Sequence, residues 1–136
     1  MPKDVSAKCE VKDVFDKTIK VDALKAQMKK TIERELDKTK GALVFTDKVT
    51  TGYILTVTLN SLTTDDEKKP DELEAKVTIV GVAVGSTATG FKATGSSKVK
   101  GINPKKLEEE AKFIVDDALG KLMAKQAVPQ MLKKAV

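Results

Sequence analysis

Tyr53-Ile54-Leu55-Thr56-Val57-Thr58-Leu59-Asn60 is a run in which every second residue, starting at the tyrosine, is large and apolar. The intervening positions are threonines, one isoleucine and one asparagine. Successive residues of a β-strand point to opposite faces of a sheet, so this period of two predicts a strand with one buried face.

Two further strands are predicted downstream of this run. Leu73–Val84 alternates in its first half, and Gly81 is interpreted as a bulge where the alternation changes. Thr63–Asp71 is charged and contains a proline, which indicates a solvent-exposed hairpin loop before this strand. Gly85–Gly90 is predicted to turn the chain into the next strand, Phe91–Lys100.

Helices are predicted on both sides of these strands. The first runs from Asp22, as the N-cap, to Lys40, and Gly41 ends it. Its apolar residues recur at every fourth position: Leu24, Met28, Ile32 and Leu36. The second opens at Asn103-Pro104, a side-chain cap followed by the position where proline is favoured, and Pro129 either breaks it or starts a short final helix.

The order helix, strands in hairpin succession, helix predicts an α+β fold. We expect a two-layer sandwich, with an antiparallel sheet of three or four strands and two long helices packed on one face. The short apolar run Ala42–Thr46 is the candidate fourth strand. Residues 21–136 are interpreted as a single domain, and residues 1–20 as an amino-terminal extension that could be partly ordered.

Composition excludes several classes of function. The 136 residues suit one domain, and the sequence has no histidine, no tryptophan and one cysteine. Ser-His-Asp, Cys-His and common zinc chemistries all need residues that are missing. We therefore predict no catalytic, cofactor-binding or metal-binding residues and a chain that is not an enzyme, although an enzyme that uses carboxylates and lysines alone stays as a third hypothesis.

Three short segments superficially resemble ligand sites. Gly81–Ser86 is glycine-rich, but a strand follows it where a phosphate-binding loop requires a helix. Asp65–Glu67 and Asp116-Asp117 could offer oxygen atoms to calcium, yet neither has the spaced ligands and central glycine of a calcium loop. Both acidic segments are interpreted as solvated charge.

The net charge of +5 suggests a basic module that binds nucleic acid or another polyanion. Arg34 is the only arginine, whereas phosphate and base recognition favours the guanidinium group. Aromatic side chains for base stacking are also few. Binding of a polyanion therefore remains the alternative function, and nucleic acid is not the preferred partner.

The candidate binding surface is the polar face of the predicted sheet. Its members alternate with the buried positions of the three long strands: Thr56, Thr58, Lys76, Thr78, Lys92, Thr94, Ser96 and Lys98. A solvated back face explains this pattern, and so does a surface that docks a partner protein or an anionic polymer. A second candidate is the edge formed by Ala42–Thr46, which could pair with a partner strand or with another copy of the chain, unless residues 1–20 cover the sheet edges.

Cys9 raises the question of lipid attachment, because a cysteine near the start of a mature chain can carry the lipid of a bacterial lipoprotein. Lys8 stands where such a site has a small residue, and residues 1–8 contain no apolar signal core. We therefore predict a free or intermolecularly paired thiol, and note that an export signal could have been removed. No apolar run approaches the length that spans a bilayer.

The phrase Thr51–Leu59, of the type small-x-Tyr-x-Leu-x-Val-x-Leu, resembles one found in small periplasmic lipoprotein-like domains of bacteria. These include penicillin-binding-protein activators and the amino-terminal domain of the Tol translocation protein, and the order of elements is similar over residues 20–125. The resemblance implies a periplasmic or secreted adaptor domain that acts through contacts with another protein. It implies no particular site residues.

Overall fold

Five strands form one sheet in the structure, a computed structural model that describes residues 2–85 and 90–133. The strands are β1 (Lys3–Val11), β2 (Leu43–Phe45), β3 (Gly52–Thr64), β4 (Glu72–Val84) and β5 (Phe91–Lys100). The helices are α1 (Val21–Asp37), α2 (Leu107–Leu122) and α3 (Val128–Lys133). A 3-10 turn at Pro104–Lys106 precedes α2, and a π turn at Met123–Ala127 joins α2 to α3.

The sheet is mixed, with the strand order β2-β1-β3-β4-β5. β1 runs parallel to both of its neighbours, whereas β3, β4 and β5 are antiparallel. The α+β class is confirmed, but the prediction of three or four antiparallel strands is wrong. The chain crosses over through α1 between β1 and β2, and such a crossover returns a strand parallel to the first one.

β1 supplies the strand that the sequence analysis did not predict, and it lies inside the sheet. Its residues from Asp4 to Val11 pair in register with Gly52–Leu59 of β3. Val5 is fully buried, and Ala7, Cys9 and Val11 pack on the same core as partly buried residues. The amino-terminal segment Lys3–Val11 therefore contributes an inner strand and its core-facing side chains to the fold.

α1 buries the predicted stripe of Leu24, Met28, Ile32 and Leu36. Its limits differ from the prediction, because the N-cap is Lys20, without a side-chain cap hydrogen bond, and Asp22 lies in the first turn. The helix ends at Asp37, and the chain then passes through positive φ angles at Lys40 (56°) and Gly41 (90°). β2 follows at once and confirms a short strand within Ala42–Thr46, at the edge of the sheet.

The predicted helix opening at Asn103-Pro104 starts the 3-10 turn before α2, and the Asn103 side chain accepts a hydrogen bond from the backbone N–H of Lys105. α2 itself begins later, at Leu107. Pro129 lies in the first turn of α3 and has no N–H to donate. Immediately before it, the N–H of Val128 bonds to the carbonyl of Met123, five residues back. This wider π turn lets the helix continue past the proline.

Gly81 does not mark a bulge, which corrects the prediction. The pairing is regular there, with Leu55 on one side and Phe91 on the other, and the irregularity lies between Leu59 and Ser61. A Cβ at Gly81 would come within 2.3 Å of Cε1 of Phe91, so the glycine makes room for that ring. The predicted turn at 85–90 lies largely outside the described residues.

The helices cover one face of the sheet and leave the other open. α1 packs on β1 and β2, and α2 packs on β4 and β5. Their buried side chains and the inward residues of the strands form one core cluster. On β5, the inward Gly95 admits Leu122, whose Cδ1 lies 3.3 Å from the position of a Cβ. The predicted packing of two long helices on one face is confirmed.

Candidate functional site

All eight predicted binding residues lie on the side of the sheet away from the helices, which we call the outer face. Register joins them across the strands, because Thr58 pairs with Thr78, and Thr78 pairs with Thr94. Lys76 pairs with Ser96 in the neighbouring row. The alternation that defined the set in the sequence therefore brings its members together on one surface.

Hydrogen bonds and ion pairs order part of the outer face. The Thr78 hydroxyl accepts a hydrogen bond from Nδ2 of Asn60 at 2.6 Å. Nζ of Lys98 lies 3.1 Å from a carboxylate oxygen of Glu72, which raises the pKa of the lysine. Glu74 pairs directly with Lys98 across the strands. The face is thus mixed in charge at this end.

The opposite end of the outer face is apolar, a feature that the sequence analysis missed. Ile54 and Val82 pair across β3 and β4, and they remain 40% and 53% exposed. The available signal was the apolar character of two outward positions in strands whose other outward positions are largely polar. The outer face therefore has exposed aliphatic side chains beside threonine and lysine, and exposed apolar residues next to polar ones fit the apolar core and polar rim of a protein interface.

The acidic loop at Asp65–Glu67 is organised by its own backbone. The Asp65 carboxylate accepts hydrogen bonds from the N–H groups of Asp71 and Glu72, each at 3.1 Å, which lowers the pKa of Asp65. Asp66 accepts another from the N–H of Lys68 at 2.9 Å. Both carboxylates thus act as turn-forming side chains.

A partly buried polar cluster joins α1 to α2, and no local sequence pattern predicts it. The Asp116 carboxylate accepts hydrogen bonds from the Thr31 hydroxyl (2.6 Å) and from Nη1 of Arg34 (2.7 Å). Glu35, only 4% exposed, accepts bonds from Nε of Arg34 and from Nζ of Lys38. The single arginine thus lies between two carboxylates, whose bonds raise the pKa of the guanidinium. The cluster joins the helices and leaves neither carboxylate unpaired.

Cys9 lies in the middle of β1 and opposite Val57 of β3. Lipid attachment there does not fit the fold, because residues 3–8 would be absent from a chain that starts at the modified cysteine, and they form most of an inner strand. Burial raises the pKa of the thiol, although the charges of Lys29 and Lys25 partly oppose this effect. The structure thus describes a free, half-buried thiol.

We expect Cys9 to react with a thiol reagent more slowly in the folded protein than in urea at neutral pH. The thiolate is the reactive form of cysteine. Because the pKa of Cys9 is raised in the folded protein, a smaller fraction of the thiol is ionised there than in the unfolded protein at the same pH. The difference should narrow as pH rises through the folded-state pKa. The protonated thiol also stabilises the folded state. This contribution to the free energy of unfolding is fully present below the pKa of the unfolded thiol and is lost as pH rises through the pKa of the folded thiol.

The measurement is the rate of thionitrobenzoate release between pH 7 and 10, with and without urea. Folded protein that reacts as fast as unfolded protein at pH 7 would contradict the assignment of Cys9 to the core side of β1.

The edge prediction is confirmed in part. β2 is an edge strand, and its central residue Val44 is 41% exposed. Residues 1–20 do not cover this edge, because β1 lies between β2 and β3. Whether a partner uses the edge stays a prediction.

Comparison with known proteins identifies structures with a similar fold. No protein family matches the sequence, and no curated protein matches it. Among solved structures, CT253 from Chlamydia trachomatis is similar over 98% of this chain and 99% of its own, with a TM-score of 0.65 and 8% identity. The PelC dodecamer from Paraburkholderia phytofirmans is similar over 90% and 87%, with a TM-score of 0.59 and 11% identity.

A putative lipoprotein from Caulobacter crescentus is similar over 94% of this chain and 93% of its own, with a TM-score of 0.51 and 10% identity. The predicted likeness to lipoprotein-like domains is therefore confirmed at the level of the fold. The finer resemblance to penicillin-binding-protein activators and the Tol protein stays a prediction. Within residues 2–85 and 90–133, no helix has the length and apolar content needed to cross a membrane.

Proposed function

We propose that this chain is a non-enzymatic adaptor domain of the bacterial cell envelope, periplasmic or secreted, that docks onto other proteins through the outer face. The observation that carries the proposal is the apolar pair Ile54 and Val82, exposed side by side on a sheet face that no described helix covers. The core of a protein interface is apolar and borders polar residues, and this pair likewise borders threonine and lysine side chains of the outer face.

Two further observations support this function. Solved structures with a similar fold include bacterial lipoproteins, which supports an envelope location. Another similar structure is the PelC dodecamer, which supports copies of this chain as a first partner to test. On the outer face, Glu72 and Glu74 stand among the lysines, and this mixed charge favours a protein partner over a polyanion.

The polar cluster between α1 and α2 supports a role without catalysis. Its two carboxylates, Glu35 and Asp116, are both held by Arg34. A carboxyl group that acts as a general acid or base must be able to exchange a proton with a substrate. The carboxylates of Glu35 and Asp116 instead bond to cationic side chains, and Asp116 also bonds to the hydroxyl of Thr31. The cluster is therefore better suited to holding α1 and α2 together than to catalysis.

The test places a photo-crosslinking amino acid at Val82 in cells that make the protein, and at Val21 as the control. Val21 is 41% exposed at the start of α1, away from the outer face. We expect discrete protein adducts at position 82 and none at position 21. A Val82→Glu variant should abolish any concentration-dependent association seen by light scattering, whereas Val21→Glu should not.

Equal adducts at both positions, or none at position 82 together with a strictly monomeric protein, would contradict the proposal. A heparin column run at low and high salt tests the polyanion alternative. Retention that falls steeply with salt and that depends on Lys76 and Lys92 would favour that alternative.

A further inference from the structure

β1 has an unpaired edge beyond the end of β2. The register with β2 covers only Lys3 to Val5, whereas β1 continues to Val11. The Lys3 N–H bonds to the carbonyl of Ala42, and the Val5 carbonyl accepts from the N–H of Thr46, so the main-chain groups of both residues point toward β2. In an extended strand this direction repeats at every second residue.

The main-chain groups of Ala7 and Cys9 therefore point in the same direction, past the end of β2. The alternate residues point the other way, as the bond from the Lys12 N–H to the Leu59 carbonyl shows. No backbone hydrogen bond joins Ala7 or Cys9 to another segment on this side within the described chain. Such an edge can accept an added strand.

A groove of about 350 Å³ lies along this edge, and we call it the β1 groove. Ser6–Cys9 of β1 line one side together with Ile54 of β3, Lys25, Ala26 and Lys29 of α1 line another, and Phe45–Asp47 close one end. Nζ of Lys29 lies 5.7 Å from the centre of the Phe45 ring. A strand added here would continue the line of β2 beside β1.

The side chains that line the β1 groove are mostly positive where they are charged, which favours an acidic binding partner. Lys8, Lys25 and Lys29 line it, and the only acidic residue among its lining is Asp47. Lys25 has no ion pair with any described residue. A second copy that paired edge to edge would bring these lysines toward their own equivalents, which like-charge repulsion disfavours.

We propose that the β1 groove binds an extended acidic segment of a partner protein by strand addition. The main chain of the segment bonds to Ala7 and Cys9, and its carboxylates reach Lys25 and Lys29. The β1 groove adjoins the outer face at Ile54, but its proposed bonds use the main chain of β1 and the lysines of α1, so it does not depend on the docking surface proposed above.

The probe is a fluorescein-labelled, seven-residue peptide of alternating valine and glutamate, titrated with the full chain and followed by polarisation. The double variant Lys25→Glu with Lys29→Glu should weaken binding by about tenfold or more, because two attractive charges become repulsive. Lys30→Glu, exposed on α1 but outside the groove, is the matched control and should change binding by less than about twofold.

A peptide with N-methyl groups on alternate amides tests the main-chain bonds. It should bind at least about tenfold more weakly, because methylation removes the donors that strand addition requires. In amide NMR spectra, the unmodified peptide should shift the signals of Ala7 and Cys9, with the uncharged outer-face variant Val82→Ser having no effect on its affinity. That last control separates failure of this site from failure of the outer face.

Several outcomes would overturn the proposal. One is that the peptide does not bind saturably, and another is that Lys30→Glu weakens its binding as much as the double variant does. A third is that the methylated peptide binds as tightly as the unmodified one, and a fourth is that the peptide shifts only amide signals of the outer face. Self-association without peptide that shifts Ala7 and Cys9 would also overturn it, since a second copy would then be the occupant.

Discussion

Deleting residues 2–11 is expected to leave the chain unfolded. β1 hydrogen-bonds to strands on both sides, and its loss would separate β2 from β3 and expose the core around Val5. A domain of this size is stabilised by only about 5 to 15 kcal/mol, so it cannot lose an inner strand and stay folded. Circular dichroism and the dispersion of amide NMR signals measure the outcome, and a synthetic peptide of residues 2–12 added in trans should restore part of the dispersion.

A pair of substitutions in β1 gives the matched control. Val5→Asp places a carboxylate in the core and should cost about 4 kcal/mol, because no described cation is available there to pair with it. Ser6→Asp places the same group on the outer face and should cost less than about 1 kcal/mol. A deletion that leaves cooperative unfolding intact, or equal costs for the two aspartates, would show that β1 is not an inner strand.

Gly52→Ala is expected to be the most damaging small substitution in the chain. A Cβ at this position would lie 2.0 Å from the backbone carbonyl oxygen of Asp4, and φ at Gly52 is +149°. The neighbouring atom belongs to the paired strand β1, so it cannot move without breaking the register. We expect a loss of about 3 kcal/mol or more from overpacking and backbone strain together.

Gly101→Ala separates these two causes. Gly101 also has positive φ (+70°), but apart from its two chain neighbours no described residue has an atom within 4 Å of the position of its Cβ. Its replacement should cost only about 1 kcal/mol, the price of the left-handed backbone alone. Urea denaturation of both variants measures the difference. Equal losses would mean that the close approach between Gly52 and Asp4 does not constrain the fold.

Local signals in the sequence predicted much of the architecture. The apolar residues of α1 recur at every fourth position, and the strands Gly52–Thr64 and Phe91–Lys100 alternate with period two. Asn103-Pro104 identified a helix start from two adjacent residues. Each of these signals depends on neighbours along the chain, which the sequence shows directly.

β1 was missed although Val5, Ala7, Cys9 and Val11 do alternate with polar residues. Two of these residues are small, so the apolar signal is weak, and no turn links β1 to a partner strand. Its pairing partner begins at Gly52, far along the chain, and a parallel pairing has no hairpin to reveal it. The same omission caused both errors in the sheet, its strand number and its purely antiparallel character.

Some parts of the candidate site could be predicted from the sequence, and others require contacts between distant segments. The threonine and lysine positions of the outer face follow from alternation alone. The apolar pair Ile54 and Val82 requires the register between two strands, and the cluster of Arg34 with Asp116 requires the docking of helices whose residues lie 82 positions apart. Gly81 could be interpreted correctly only once Phe91 was known to lie beside it.

The position of β1 also bears on the order in which the molecule folds. β3, β4 and β5 pair with their neighbours in sequence, so this part of the sheet can form early, with short loops to close. β1 must find β3 across about fifty intervening residues, including a whole helix, and distant pairings form slowly. During synthesis, β1 leaves the ribosome before β3 and stays unpaired until β3 follows. Small side chains and the charges at Asp4, Lys8 and Glu10 reduce the tendency of the unpaired strand to aggregate.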